Sequence, residues 1–166
     1  GWFPEELRYY PQYLREAGYY CSNNSKTDYN LVSDKDEIWD ESSNTAHWKN
    51  RTDKSQPFFA IFNYGGTHES GTNSKEKHED VCRDLPPEIM IKPGESPLPP
   101  YFPDKPIVHE LWARYCNNIS ALDRYVENLL NELKEEGVAE NTIVFFYSDH
   151  GAGIPIHKRW MYDSGL

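Results

Sequence analysis

Two stretches of this chain run without a charged interruption: Pro57-Phe58-Phe59-Ala60-Ile61-Phe62-Asn63 and Asn141-Thr142-Ile143-Val144-Phe145-Phe146-Tyr147. Short apolar runs rich in β-branched and aromatic residues predict strands covered on both faces. Between them, residues 107–136 place Leu111, Tyr115, Ile119, Leu122, Val126, Leu129, Leu130 and Leu133 at steps of three and four. That spacing predicts a long amphipathic helix, with Lys134 in its last turn and Gly137 just past its end. A helix between two buried strands is a βαβ unit, so the sheet is expected to be parallel with a right-handed crossover. Upstream, Leu7, Tyr10 and Leu14 predict a short helix that starts near Pro11 and stops at Gly18. The YYCSNN stretch that follows predicts a brief strand opening into a loop with Ser25-Lys26-Thr27-Asp28. Residues 31–56, with Trp39 and Trp48 as their only large anchors, and the Lys-, Glu- and Pro-rich residues 71–108 are expected to be long loops or insertions. The fold class expected is α/β: a mainly parallel sheet flanked by helices.

In an open α/β sheet, ligands bind beyond the carboxyl ends of the strands. Three strand exits here carry groups suited to an anion or a cation. The first presents Lys26, and the second reaches His68 through Gly65-Gly66. The third ends in Asp149-His150-Gly151, with His157, Lys158 and Arg159 close behind. An Asp oxygen beside a His nitrogen suits part of a metal site, with Gly151 letting the chain turn away. Each residue also has a plain reading: a turn cap for Asp149, a solvated loop side chain for His68, Lys26 or Lys158. Convergence favours the chemical one, because an anion site needs donors arriving from several directions.

Composition narrows the partners. Acidic residues outnumber basic ones 27 to 17, for a net charge of -10. With no basic stripe to neutralise a phosphate backbone, nucleic acid is not an expected partner. No run approaches the roughly 18 apolar residues of a membrane span. Cys21, Cys82 and Cys116 lack CxxC spacing and a matched pair of histidines, so neither a zinc knuckle nor a disulfide framework is indicated. The 14% aromatic content, with 12 Tyr and 5 Trp, argues for a globular chain.

Four blocks, AGYYCSNNSK, PFFAIFNYGGTHES, ISALDRYVENLLNELKEEGVAENTIVFFYSDHG and HKRWMYDSG, resemble in that order the middle of sulfatases of the alkaline phosphatase superfamily. The most specific part is the apolar strand ending in SDHG, followed by K-x-x-x-Y. The resemblance implies that residues 1–166 are a partial sulfatase catalytic domain of alkaline phosphatase-like fold. It implies that Asp149 and His150 are ligands of a divalent cation, commonly calcium. His68 would contact the sulfate or leaving-group oxygen, and Lys26 and Lys158 would bind the sulfate. The substrate class it suggests is a sulfated carbohydrate or polysaccharide, as an ester or an N-sulfate, in a periplasmic or extracellular setting.

The chain also departs from the family. Where G-K-W-H is usual it reads Ser25-Lys26-Thr27-Asp28, so the second histidine is absent. No C-x-P-x-R or S-x-P-x-R occurs, and Cys21, followed by Ser-Asn-Asn-Ser, does not qualify. The formylglycine nucleophile and the strand with paired metal-binding aspartates are therefore expected outside this segment. Alternatives are a phosphodiesterase or phosphonate hydrolase of the same superfamily, or a sulfatase-like domain that binds without catalysis. The 166-residue chain alone is expected to be inactive and poorly soluble.

Overall fold

The computed structural model describes residues 4, 6–30, 35–154 and 158. They fall into two compact units, Gly1–Asn63 and Tyr64–Leu166.

The first unit is a three-stranded parallel sheet in the order β2-β1-β3, built from β1 (Tyr20–Asn24), β2 (Glu41–Ser42) and β3 (Phe58–Phe62). Helix α1 (Tyr10–Glu16) starts with Pro11 in its first turn, where a missing N–H costs nothing, and Gly18 follows it at a φ of 91°. The apolar run of β3 is explained by a tryptophan on each face. Trp39 stacks on Phe59 at 6.2 Å, and Trp48 stacks on Phe58 at 5.6 Å and meets Phe62 edge-on at 5.4 Å. Cys21, Ile38 and Trp39 form the buried centre, closed by Tyr9, Leu14, Tyr29 and Ile61. Residues 31–56 therefore supply both tryptophans, helix α2 (Lys35–Ile38) and the edge strand β2. Buried Arg51 organises the return to β3 by donating to the carbonyls of Gln56, Trp48 and Lys54.

The second unit is helical. Helices α3 (Glu69–Asn73) and α4 (Lys75–Val81), which occupy the start of the Lys- and Pro-rich stretch, pack on α5 (Pro106–Glu135). The predicted long helix is thus present, with Gly137 at a φ of 69° just past its end. Its buried positions are Ala113, Asn117, Asn118, Ala121 and Leu133, and the predicted leucine-rich stripe is mostly half-buried. The two buried amides have hydrogen-bond partners across the packing interface. Asn117 donates to the Ile91 carbonyl at 3.0 Å and accepts from the Ile91 N–H at 2.8 Å. Asn118 meets buried His78 of α4 at 2.8 Å. Among the described residues, no helix is long and apolar enough to cross a membrane.

The second predicted strand does not form. Residues 142–148 follow a 3-10 turn (Ala139–Asn141) without entering any ladder, and Ile143, Phe145 and Tyr147 are 83%, 81% and 77% exposed. A strand needs neighbours to satisfy its N–H and C=O groups, and apolarity alone cannot supply them. The β3-α5-strand unit is accordingly not closed, and the parallel sheet comes from β1, β2 and β3.

Candidate active site

In the first unit, the parallel strands put Lys26 just past the carboxyl end of β1. Asn23 and Asn63 hold this loop: the Asn23 side-chain amide donates to the Lys26 carbonyl at 3.0 Å, and the Lys26 N–H donates to the Asn63 side-chain Oδ1 at 2.9 Å. The Lys26 ammonium lies 3.9 Å from Asp28, so the residue replacing the family's second histidine is a charge partner of the lysine. Neither buried cysteine can serve as a thiolate nucleophile. Burial, reinforced by Asp40, pushes the Cys21 thiol up to about 12, and burial alone raises Cys82 to about 11.

In the second unit, His68 is the N-cap of α3 and Lys158, 90 residues on, reaches it: Nζ lies 3.4 Å from His68 Nε2. Two contacts make that meeting possible. The Lys158 N–H donates to the Ala152 carbonyl at 3.0 Å. Gly153 lies directly on the first residue of α3, where a β-carbon would stand 2.2 Å from Glu69 Cβ and 2.7 Å from its Cα. Only glycine allows that approach.

The two ring nitrogens of His68 meet different partners. The Ser70 backbone N–H points at Nδ1 at 3.3 Å, while the Ser70 hydroxyl, at 2.9 Å, can donate to that nitrogen or accept from it. The Lys158 ammonium can only donate, so at 3.4 Å it meets an acceptor when Nε2 is bare and a second donor when Nε2 carries hydrogen. In the latter tautomer an anion between them accepts from both.

The mirror image occurs at Asp149-His150. His150 Nδ1 sits 3.2 Å from the Gly151 carbonyl, which can only accept, so Nδ1 holds the hydrogen. Nε2 of a neutral ring is then an acceptor, and it faces another acceptor, Asp149 Oδ2, at 3.2 Å. Either a second proton or a metal cation between them resolves the pair. A divalent cation bound at this pair would be held by Asp149 Oδ2 and His150 Nε2, with the carboxylate suiting a hard cation better than the imidazole. A ligating histidine that donates its other N–H to a backbone carbonyl is the usual outer-shell arrangement. Among the described residues, no group of three or more His, Cys, Asp or Glu side chains is placed to hold a metal. His157, Arg159 and the K-x-x-x-Y tyrosine, Tyr162, lie outside the described residues.

The structure thus brings His68 and Lys158 together and pairs Asp149 with His150. Sequence reading missed Ser70 and Gly153. A serine two positions after a loop histidine is a capping signal open to inspection, whereas the Gly153 contact depends on chain segments far apart in sequence.

Comparison with known proteins bears on the same residues. The family model described as Sulfatase matches residues 5–165. An ulvan-active sulfatase of Formosa agariphila is 38% identical over 190 aligned positions, covering 98% of this chain and 31% of that protein. An arylsulfatase of Hemicentrotus pulcherrimus is 35% identical over 52 positions, covering 31% of this chain and 9% of that protein. This chain therefore spans about a third or less of the length of these relatives. No solved structure matches it. A parallel sheet with flanking helices and a family match over nearly its full length agree, and the chain belongs to the sulfatase family.

Proposed function

We propose that the protein containing this chain hydrolyses sulfate groups on a polysaccharide, and that His68 and Lys158 hold the sulfate and its leaving oxygen. The observation that carries this reading is the approach of Lys158 Nζ to His68 Nε2 at 3.4 Å, which sets an ammonium beside an imidazole able to donate to an oxyanion. Family membership supports sulfate over phosphate, and the ulvan-active relative supports a sulfated polysaccharide over a small ester. Lys26 is assigned as a second sulfate-binding lysine on its place after the AGY block. Asp149 and His150 are assigned as two ligands of a divalent cation, for which calcium is the family's habit. When bound, the cation supplies Lewis-acid polarisation of the sulfate oxygens. The nucleophile, a formylglycine, comes from outside these 166 residues. A polymeric substrate that cannot enter a cell supports a periplasmic or extracellular setting.

In this reading Lys158 neutralises sulfate charge, and His68 offers Nε2–H to the oxygen that leaves with the sugar. General acid or hydrogen-bonding help of that kind is typically worth about 100- to 10,000-fold. The test is the intact protein acting on ulvan, with inorganic sulfate release measured beside nitrophenol release from a nitrophenyl phosphodiester. His68→Ala is expected to lower desulfation at least about 100-fold with an unchanged circular dichroism spectrum. Near-normal turnover by that variant ends the assignment, and phosphodiester cleavage without sulfate release moves the protein to phosphoryl chemistry.

A further inference from the structure

We propose that Ser70 is a positioning residue for His68, holding the imidazole so that its Nε2–H faces the anion. The inference rests on the assignment of His68 above and concerns a residue outside the four blocks' metal and sulfate positions. Ser70 Oγ lies 2.9 Å from His68 Nδ1, closer than the Ser70 backbone N–H at 3.3 Å. The two groups of one residue grip the same ring nitrogen from the start of α3, which fixes the ring about its outer torsion.

The hydroxyl does what the backbone N–H cannot. An N–H can only donate, so it matches Nδ1 solely while that nitrogen is bare. A serine hydroxyl rotates: it donates to a bare Nδ1 and accepts from a protonated one. Ser70 therefore keeps a partner for Nδ1 in either protonation state of the ring, and in both states Nε2–H stays turned toward Lys158. Lys158 is the charged group facing Nε2. On the helices packed against α3, Arg114 of α5 is engaged with Glu110 and the Thr72 carbonyl, and His78 of α4 is buried against Asn118. Without the hydroxyl, the ring samples orientations that point Nε2 elsewhere, which weakens the transition state more than substrate binding.

The experiment compares Ser70→Ala, Ser70→Thr and His68→Ala in the intact protein, with ulvan as substrate and sulfate release as the readout. Ser70→Ala is expected to lower kcat about tenfold with KM changed less than about twofold, and Ser70→Thr, which keeps a hydroxyl, to recover most of the loss. Wild-type kcat in Ser70→Ala overturns the proposal. So does a loss that Thr fails to recover, or one expressed mainly in KM, because either marks a merely structural serine. If His68→Ala disables the enzyme and Ser70→Ala does not, only the Ser70 proposal falls. If His68→Ala is itself without effect, both readings fall.

Discussion

At the scale of single residues, the site is defined less by which side chains are present than by which of their atoms carry hydrogen. His68 and His150 are both loop histidines, yet Nδ1 of one meets a backbone N–H and a hydroxyl, and Nδ1 of the other meets a backbone carbonyl. Gly153 bears on the approach of Lys158 to His68, because it rests against Glu69, the residue after His68. Gly153→Ala would drive a methyl into the Cα and Cβ of Glu69, and backbone cannot give way cheaply. The expected result is a stability loss of about 1–3 kcal/mol by denaturant unfolding and at least a tenfold fall in kcat/KM as Lys158 moves off His68. Unchanged kcat/KM would mean that the Lys158 approach is not needed for turnover.

At the scale of elements, the small sheet holds its edge strand through one carboxylate. Glu41 of β2 accepts from the Tyr20 hydroxyl at 2.9 Å, the His47 N–H at 3.3 Å and the Asn50 amide at 2.8 Å. Burial pushes its pKa up, but the bonds from Asn50, Tyr20 and His47 outweigh burial and hold it below the ordinary 4.5. A folded value below the unfolded one stabilises the fold fully above pH 4.5, and that contribution is lost as pH falls through the depressed folded value. Glu41→Gln is expected to cost about 1–3 kcal/mol at neutral pH and to flatten the acid side of the stability profile, read by urea melts across pH. An acid limb as steep as that of the unmutated protein would assign the dependence to another carboxylate. Strand β3 shows the complementary case, in which an uninterrupted apolar run succeeds because Trp39 and Trp48 cover its two faces.

At the scale of the whole molecule, a net charge of -10 is compatible with the anionic polymer proposed as substrate. Under that proposal Lys158 and His68 would set the local field at the sulfate, and distant acids are screened beyond roughly 10 Å. Residues 142–148 set the behaviour of the chain as a solute. Uncharged apart from Asp149 beyond their end, rich in β-formers and exposed, they match an aggregation-prone segment. The 166-residue chain expressed alone is expected to self-associate in light scattering and to release no sulfate from ulvan. Lysines at positions 143 and 145 together should suppress the association. Metal-dependent turnover by this chain alone would refute the expectation.

What the sequence by itself determined is whatever depends on local periodicity and short motifs. The three-four spacing over α5 needs only its own turn to be read, and Pro11 and Gly137 mark ends through their own backbone preferences. The THES block put His68 shortly after the apolar run that forms β3, whereas Asp149 and His150 follow residues that form no strand. The tertiary structure alone decided the rest. Whether residues 142–148 pair depends on a neighbouring strand; whether α5 buries leucines or amides depends on the backbone opposite, at Ile91 and α4. The proton positions on His68 and His150 depend on which backbone group lies within hydrogen-bond reach, and the meeting of Lys158 with His68 spans 90 residues of chain. Such contacts arise from distances between atoms remote in sequence, and no periodicity encodes them.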